Sequence, residues 1–199
     1  MIRTPEALIP YVFALAAVLG GLAWHLGDQV GGLGRTIITG EASIGGPFAL
    51  IDQDGRPYSN RNLRGHWSLL YFGYTHCPDV CPITLSLMAD TMDRLGAKAS
   101  RVQPVFITVD PARDTPKVMK QYVASFGKTF IGLTGSETQV APMLQEYRVY
   151  AKKRPLPGGD YSMDHSSVIY LIDPEGKFAG TYDEAQGPDK IAEDLRKKL

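Results

Sequence analysis

The chain has 199 residues, 21 Lys plus Arg against 21 Asp plus Glu, and two cysteines. That length allows one ordinary domain with an appendage, since domains run to about 100–200 residues, and the zero formal charge excludes a protein that holds nucleic acid or an acidic membrane surface by bulk electrostatics. Two cysteines are too few for a disulfide scaffold, which leaves a single staple, a redox couple or a pair of metal ligands.

Residues 1–6 form a short tail. Ala7 to Trp24 is an uncharged, mainly apolar run of 18 residues; with Leu26 it reaches the ~20 that a helix needs to cross a bilayer core. Residues 7–26 therefore read as one transmembrane anchor with Trp24 at the interface. The anchor stays attached on this reading, because Trp24-His25-Leu26-Gly27-Asp28 offers no A-x-A-like exit for cleavage. Arg3 and Arg35 lie on opposite sides, so charge alone does not orient it. Residues 27–46 hold seven glycines and three charges, the composition of a flexible tether. Residues 47–199 form a head of 153 residues with net charge +1, enough for one sizeable core.

Within the head, Asp54-Gly55 between short apolar runs predicts a hairpin from Pro47 to Tyr58. Trp67 to Tyr74 reads as a buried central strand. Leu85, Met88, Met92 and Leu95 recur at helical spacing after Pro82, with Gly96 as the stop. Val102 to Val109 is a second buried strand. Thr115-Pro116 marks a helix start, with Thr as cap and Pro in the first turn, leading to Val118, Met119, Tyr122 and Phe126. A short helix fits Thr138 to Tyr147. Lys152 to Asp160, with three consecutive basic residues, two prolines and two glycines, reads as a solvated loop and a docking surface leading into the segment around His165. Ser167 to Ile172 and Phe178 to Thr181 form a hairpin, and Pro188 to Leu199 a closing helix. The fold class is α/β: a thioredoxin-like order of elements, with a mixed central sheet flanked by helices.

Both cysteines fall where the central strand hands over to its helix, in Tyr74-Thr75-His76-Cys77-Pro78-Asp79-Val80-Cys81-Pro82. A helix N-terminus stabilises thiolate there. Residues i and i+4 share a helix face, with Cα atoms about 6 Å apart, so the spacing permits a disulfide or a two-thiolate metal site. A structural staple over so short a loop would remove little entropy from the unfolded chain. Dithiol oxidoreductases of this fold usually place a cis-proline before the strand facing the cysteines; here that approach is Met163-Asp164-His165-Ser166. Two thiolates and an imidazole make a soft three-ligand set that favours copper, as Cu(I) or Cu(II). Zinc competes, although it normally wants a fourth ligand or a catalytic water. Asp164 is expected to orient the imidazole. Asp79 between the cysteines either complements the helix dipole, or contacts a partner and tunes thiolate charge. His76 points away from Cys77 on an extended segment, Met163 reads as a core or surface methionine ahead of one sharing the face of His165, and Val109 to Pro116 forms a loop braced by Arg113 and Asp114.

At these residues the chain resembles the Sco/SenC family of copper chaperones. The blocks that carry the resemblance are YFGYTHCPDVCP at Tyr71–Pro82, VDPARDTP at Val109–Pro116, GLTG at Gly132–Gly135 and DHSSVIYLIDPEGKF at Asp164–Phe178. They cover essentially the whole head, in order. The resemblance implies a membrane-tethered protein that binds one copper through Cys77, Cys81 and His165 and helps to assemble the binuclear copper centre of cytochrome c oxidase. It implies as partners the copper-bearing oxidase subunit, a periplasmic thiol reductant and another copper carrier, and no nucleic acid. The resemblance implies the outer face of a bacterial inner membrane or the mitochondrial intermembrane space, and the short stretch before the anchor, without an Arg- and Ser-rich presequence, favours the bacterial membrane with the head in the periplasm.

Two other chemistries use the same residues. A thiol-disulfide reductase would cycle Cys77 and Cys81 as a redox disulfide and keep the oxidase copper-site cysteines reduced. A peroxidase would need a Pro-x-x-x-Thr-x-x-Cys pattern, which the chain lacks: Thr75 stands two positions before Cys77.

Overall fold

The computed structural model describes residues 44–199. The expected anchor and nearly all of the tether lie outside the described residues, among which no helix is long and apolar enough to cross a membrane. The last residues of the expected tether already belong to the head. Ile44 packs against the core and the Gly45 N–H donates to the Glu146 carbonyl at 2.7 Å.

Nine strands and four α-helices follow. They are β1 (Ala49–Asp52), β2 (Pro57–Ser59), β3 (Trp67–Gly73), α1 (Val80–Leu95), β4 (Val102–Thr108), α2 (Pro116–Ala124), β5 (Ile131–Thr134), α3 (Glu137–Glu146), β6 (Ala151–Pro155), β7 (Tyr161–His165), β8 (Ile169–Ile172), β9 (Phe178–Tyr182) and α4 (Gly187–Lys198). Seven strands form a mixed sheet in the order β2-β1-β5-β4-β3-β8-β9, while β6 and β7 form a separate two-stranded ribbon. The predicted strands, helices and both predicted hairpins are present, with ends shifted by a few residues.

The sheet is built outward from β3 and β4, which are parallel and in register over their full length, Trp67↔Val102 to Gly73↔Thr108. Both are almost wholly buried, as continuous apolar runs covered on two faces should be. Strands β3, β4 and β5 advance in one direction. Two right-handed crossovers in the same direction put α1 and α2 on one face of the sheet. Tyr71 and Phe106 stack on that face, and Phe106 meets Tyr122 of α2. On the other face Phe72 meets Tyr147, at the end of α3, and Tyr170.

Helix α1 buries Cys81, Leu85, Met88, Met92 and Leu95, one stripe at spacings of three and four. Cys81 is thus the first member of a core stripe. Gly96 ends the helix with φ +57, a left-handed position that glycine adopts without strain. Thr115 caps α2, its hydroxyl accepting from the Val118 N–H at 3.4 Å.

Two elements depart from expectation. Ile131–Thr134, which carries most of the GLTG block, is a strand between β4 and β1. Lys152 to Asp160 is not a free loop: its first four residues lie in β6, whose ladder with β7 runs from Ala151↔His165 to Pro155↔Tyr161. Polar exposed residues there concealed a strand held by backbone bonds to its neighbouring strand.

The topology gathers three segments at one edge. The carboxyl ends of parallel β3 and β4 lie side by side, and antiparallel β8 begins beside them, Ile169 opposite Tyr71. The cysteine loop follows β3, the Val109–Thr115 loop follows β4, and His165 ends β7 shortly before β8.

Candidate metal centre

The cysteines do not share a helix. Cys77 lies in a turn before α1, its N–H donating to the Tyr74 carbonyl at 3.2 Å, whereas Cys81 sits in the first helical turn. Pro78 and the non-helical Asp79, at φ −139 and ψ −79, separate them. The turn nevertheless curls back, and the Cys81 N–H donates to Cys77 Sγ at 3.4 Å. Cys81 is fully buried and Cys77 half-buried, so one sulfur is anchored in the core and the other lies at its margin.

Gly73 makes room for this. A Cβ at Gly73 would lie 2.7 Å from Cys81 Sγ and 2.9 Å from Phe106 Cε2. Tyr71, two residues earlier on the same strand face, directs its hydroxyl at Cys81 Sγ from 3.9 Å. The cysteine loop is also held from outside. Asp114, buried in the loop after β4, accepts from the Thr75 N–H at 3.1 Å, the Thr75 hydroxyl at 2.6 Å and the Thr108 hydroxyl at 2.6 Å. The expectation that Asp114 braces its own loop is thereby extended: it braces the cysteine loop as well. Thr75 is committed to this task and is not free to serve a peroxidatic sulfur.

His165 closes the set from the end of β7. Its Nε2 is 3.4 Å from Cys81 Sγ, and the ligand atoms of Cys77, Cys81 and His165 all lie within 4.8 Å of one another. The Nδ1 atom is 2.9 Å from the Ser166 carbonyl. A carbonyl only accepts, so Nδ1 carries the proton and Nε2 presents its lone pair to the sulfurs. The edges of the imidazole and the rings of Tyr74 and Tyr71 meet at centroid distances of 5.8 and 6.2 Å.

The expected orienting role of Asp164 is corrected by this geometry. Its carboxylate pairs with Arg154 across the ribbon, because alternate residues of a strand face opposite ways and Asp164 adjoins His165. The group behind the imidazole is the Ser166 backbone carbonyl, invisible to any reading of side chains. Asp79 is exposed and makes no capping bond. His76 is exposed too, with Nδ1 3.1 Å from the Thr75 hydroxyl, and Met163 is half-buried against the core.

The two thiols share their protons unequally. The bond from Cys81, with the Asp79 and Cys81 N–H groups, draws the Cys77 thiol well below its ordinary range despite partial burial. The Cys81 thiol is pushed up by that same bond and by burial. The pair loses its first proton easily, with charge on the outer sulfur, and its second reluctantly. Two soft sulfurs and an imidazole lone pair fit a thiophilic metal ion such as copper.

A family model described as SCO1/SenC matches residues 37–199. The chain is 44% identical over 164 residues to the mitochondrial protein SCO2 of Saccharomyces cerevisiae, covering 79% of this chain and 54% of that protein. It spans about half the length of the curated relatives it matches. Among solved structures it is similar to that of Bradyrhizobium japonicum ScoI with copper bound, at 44% identity and TM-score 0.75, covering 79% of this chain and 100% of that one. It is also similar to a structure in which a disulfide switch was identified in BsSco, described as a member of the Sco family of cytochrome c oxidase assembly proteins, at 29% identity and TM-score 0.61, covering 76% and 90%.

Proposed function

Because the chain belongs to the SCO1/SenC family, we propose that it is a copper metallochaperone that takes up one copper ion through Cys77, Cys81 and His165 and passes it to the binuclear copper centre of a cytochrome c oxidase. The observation that carries the reading is the meeting of two sulfurs and a proton-free Nε2 within 4.8 Å. A relative 44% identical was solved with copper bound. Copper is cargo here. Thiolates favour Cu(I) and the imidazole also suits Cu(II). Uptake displaces the remaining thiol proton, so binding releases acid. Cys81 and His165, held from the core and from the ribbon, retain the ion, while half-exposed Cys77 leaves one side open to an incoming thiolate. The recipient is the copper-bearing oxidase subunit, and another copper carrier supplies the ion. Residues 7–26 tether the head to the bacterial inner membrane on its periplasmic side, and Asp79 and the basic stretch of β6 face the partners.

The test is metal titration of the reduced chain against His165→Ala. The wild type is expected to take up one copper ion per chain with sulfur-to-copper charge-transfer absorption, and the variant to lose at least about tenfold in affinity. Equal binding by both would refute the ligand set. The oxidised chain, with Cys77 bonded to Cys81, is expected to take up no copper until a thiol reductant is added; efficient loading without reductant would count against the site.

A second reading shares the cysteines. Cys77, outward-facing and readily deprotonated, is placed to attack a disulfide, with Cys81 beneath it to resolve the mixed disulfide, so the chain would keep oxidase cysteines reduced. His165→Ala separates the two, since copper uptake collapses while thiol exchange survives.

A further inference from the structure

His165 does not belong to the main sheet. It ends β7 in a ribbon whose ladder joins β6 and β7 only to each other. What sets the imidazole against the sulfurs is therefore the way the ribbon is fastened to the loops at the sheet edge. A side chain outside the ligand set contributes several bonds to that connection. Arg113, in the loop after β4, donates from Nη1 to the Tyr161 carbonyl at 3.0 Å and to Asp160 Oδ1 at 3.1 Å. Its Nε donates to Asp110 Oδ2 at 2.5 Å. The guanidinium lies 3.7 Å from the centre of the Tyr161 ring, and the Tyr161 hydroxyl donates to Asp110 Oδ1 at 2.8 Å. One carboxylate thus holds both the arginine and the tyrosine that opens β7. The Arg113 side chain is 17% exposed and that of Asp110 5%, too sheltered to count as an ordinary surface pair. The guanidinium also lies 5.7 Å from the Tyr74 ring, whose edge-on partner is His165.

The neighbour of Arg113 completes the pattern. Asp114 holds the cysteine loop through Thr75, so consecutive residues of one loop grip the two halves of the site. We propose that Arg113 is a positioning residue that latches the β6–β7 ribbon to this loop and so keeps His165 beside Cys77 and Cys81 before any metal arrives. The assignment rests on the copper-binding reading. Arginine is required because a planar fork must serve a carbonyl and two carboxylates while stacking on a ring, which lysine cannot do. A ribbon ordered in advance spares metal binding the cost of ordering it.

The test uses the full chain with Arg113→Met, Arg113→Lys and Tyr161→Phe, each also made in a His165→Ala background. Cu(I) affinity is read by competition with a chelator, and amide hydrogen exchange is read on the metal-free protein. Arg113→Met is expected to weaken Cu(I) binding by about 10–100-fold, the range for residues that orient a ligating histidine, and to speed exchange across residues 161–166 while leaving β3 and β4 protected. Arg113→Lys should recover little of the loss. Tyr161→Phe, which removes only the hydroxyl bond to Asp110, should fall between. In the His165→Ala background none of the three should cost anything further, because the ligand they position is gone. Equal losses in both backgrounds, or unchanged ribbon exchange, would overturn the latch. Should Arg113→Met lose protection in β3 and β4, the milder Tyr161→Phe decides by the same comparison. A wild type that takes up no Cu(I) defeats the copper reading alone, and the exchange measurement then decides the latch.

Discussion

At the scale of single residues, the site depends on an absence. Gly73 ends the central strand where a side chain would meet Cys81 Sγ at 2.7 Å and Phe106 at 2.9 Å. Both neighbours are fully buried, so neither can move aside cheaply in a close-packed interior. Gly73→Ala is expected to destabilise the fold by about 1–3 kcal/mol, the usual cost of overpacking, and to displace Cys81, weakening copper binding by more than a comparable mutation far from the site. Denaturant unfolding and Cu(I) competition on the same variant check the two halves; unchanged affinity would mean that Cys81 keeps its place despite the intrusion. The requirement for glycine is not written in the local sequence, where Gly73 reads only as the end of an apolar run. It arises because α1 folds back over β3 and sets Cys81 above it.

At the scale of elements, the loop after β4 governs two others. Asp114 accepts three bonds from Thr75 and Thr108 without a cation in contact, apart from the exposed His76 ring 3.9 Å away. Burial pushes its pKa above the ordinary carboxylate value; the Thr108 and Thr75 bonds pull the other way, and Asp110 adds repulsion. A carboxyl with a raised folded-state pKa binds more protons in the folded than in the unfolded chain, so its contribution is greatest in acid and is lost as pH rises through the raised value. Asparagine does not ionise and offers a carbonyl to the same donors. The stability of Asp114→Asn relative to wild type is therefore expected to rise between about pH 4, where free carboxylates titrate, and neutrality. Urea unfolding across that range measures it, and a falling difference would reverse the assignment. The bracing role of this loop could be read from Asp-Pro-Ala-Arg-Asp, where charges flank a turn. Its partners could not, because Thr75 and Tyr161 lie far along the chain and meet it only at the sheet edge.

At the scale of the whole molecule, the site joins a buried centre to a more exposed ribbon. Strands β3 and β4 form a buried centre, while residues 152–155 of the ribbon are exposed. Local opening ranges from nearly free at such edges to the full unfolding free energy in core strands. Amide exchange in the metal-free chain is thus expected to be ~100-fold or more slower in residues 69–72 and 105–107 than in residues 152–154. Comparable rates would mean that the ribbon is part of the same cooperative unit. The sulfurs follow the buried centre and the imidazole ends the ribbon, so the exchange contrast bears directly on the proposed latch.

Six of the nine strands, the four α-helices, the core stripe of α1 and the candidate set Cys77, Cys81 and His165 could be read from the sequence itself. Hydrophobic period, turn chemistry and the scarcity of soft ligands are local properties, and each is written within a few residues or in a count of the whole chain. Tertiary structure alone decided the rest: that β5 is a strand, that a basic stretch is half of a ribbon, that Cys77 stands off the helix, and that Ser166 rather than Asp164 holds the imidazole. Strand β5 depends on pairing with distant β1 and β4, and the others on backbone bonds that no side-chain pattern marks. A carbonyl has no residue type by which a sequence could announce it.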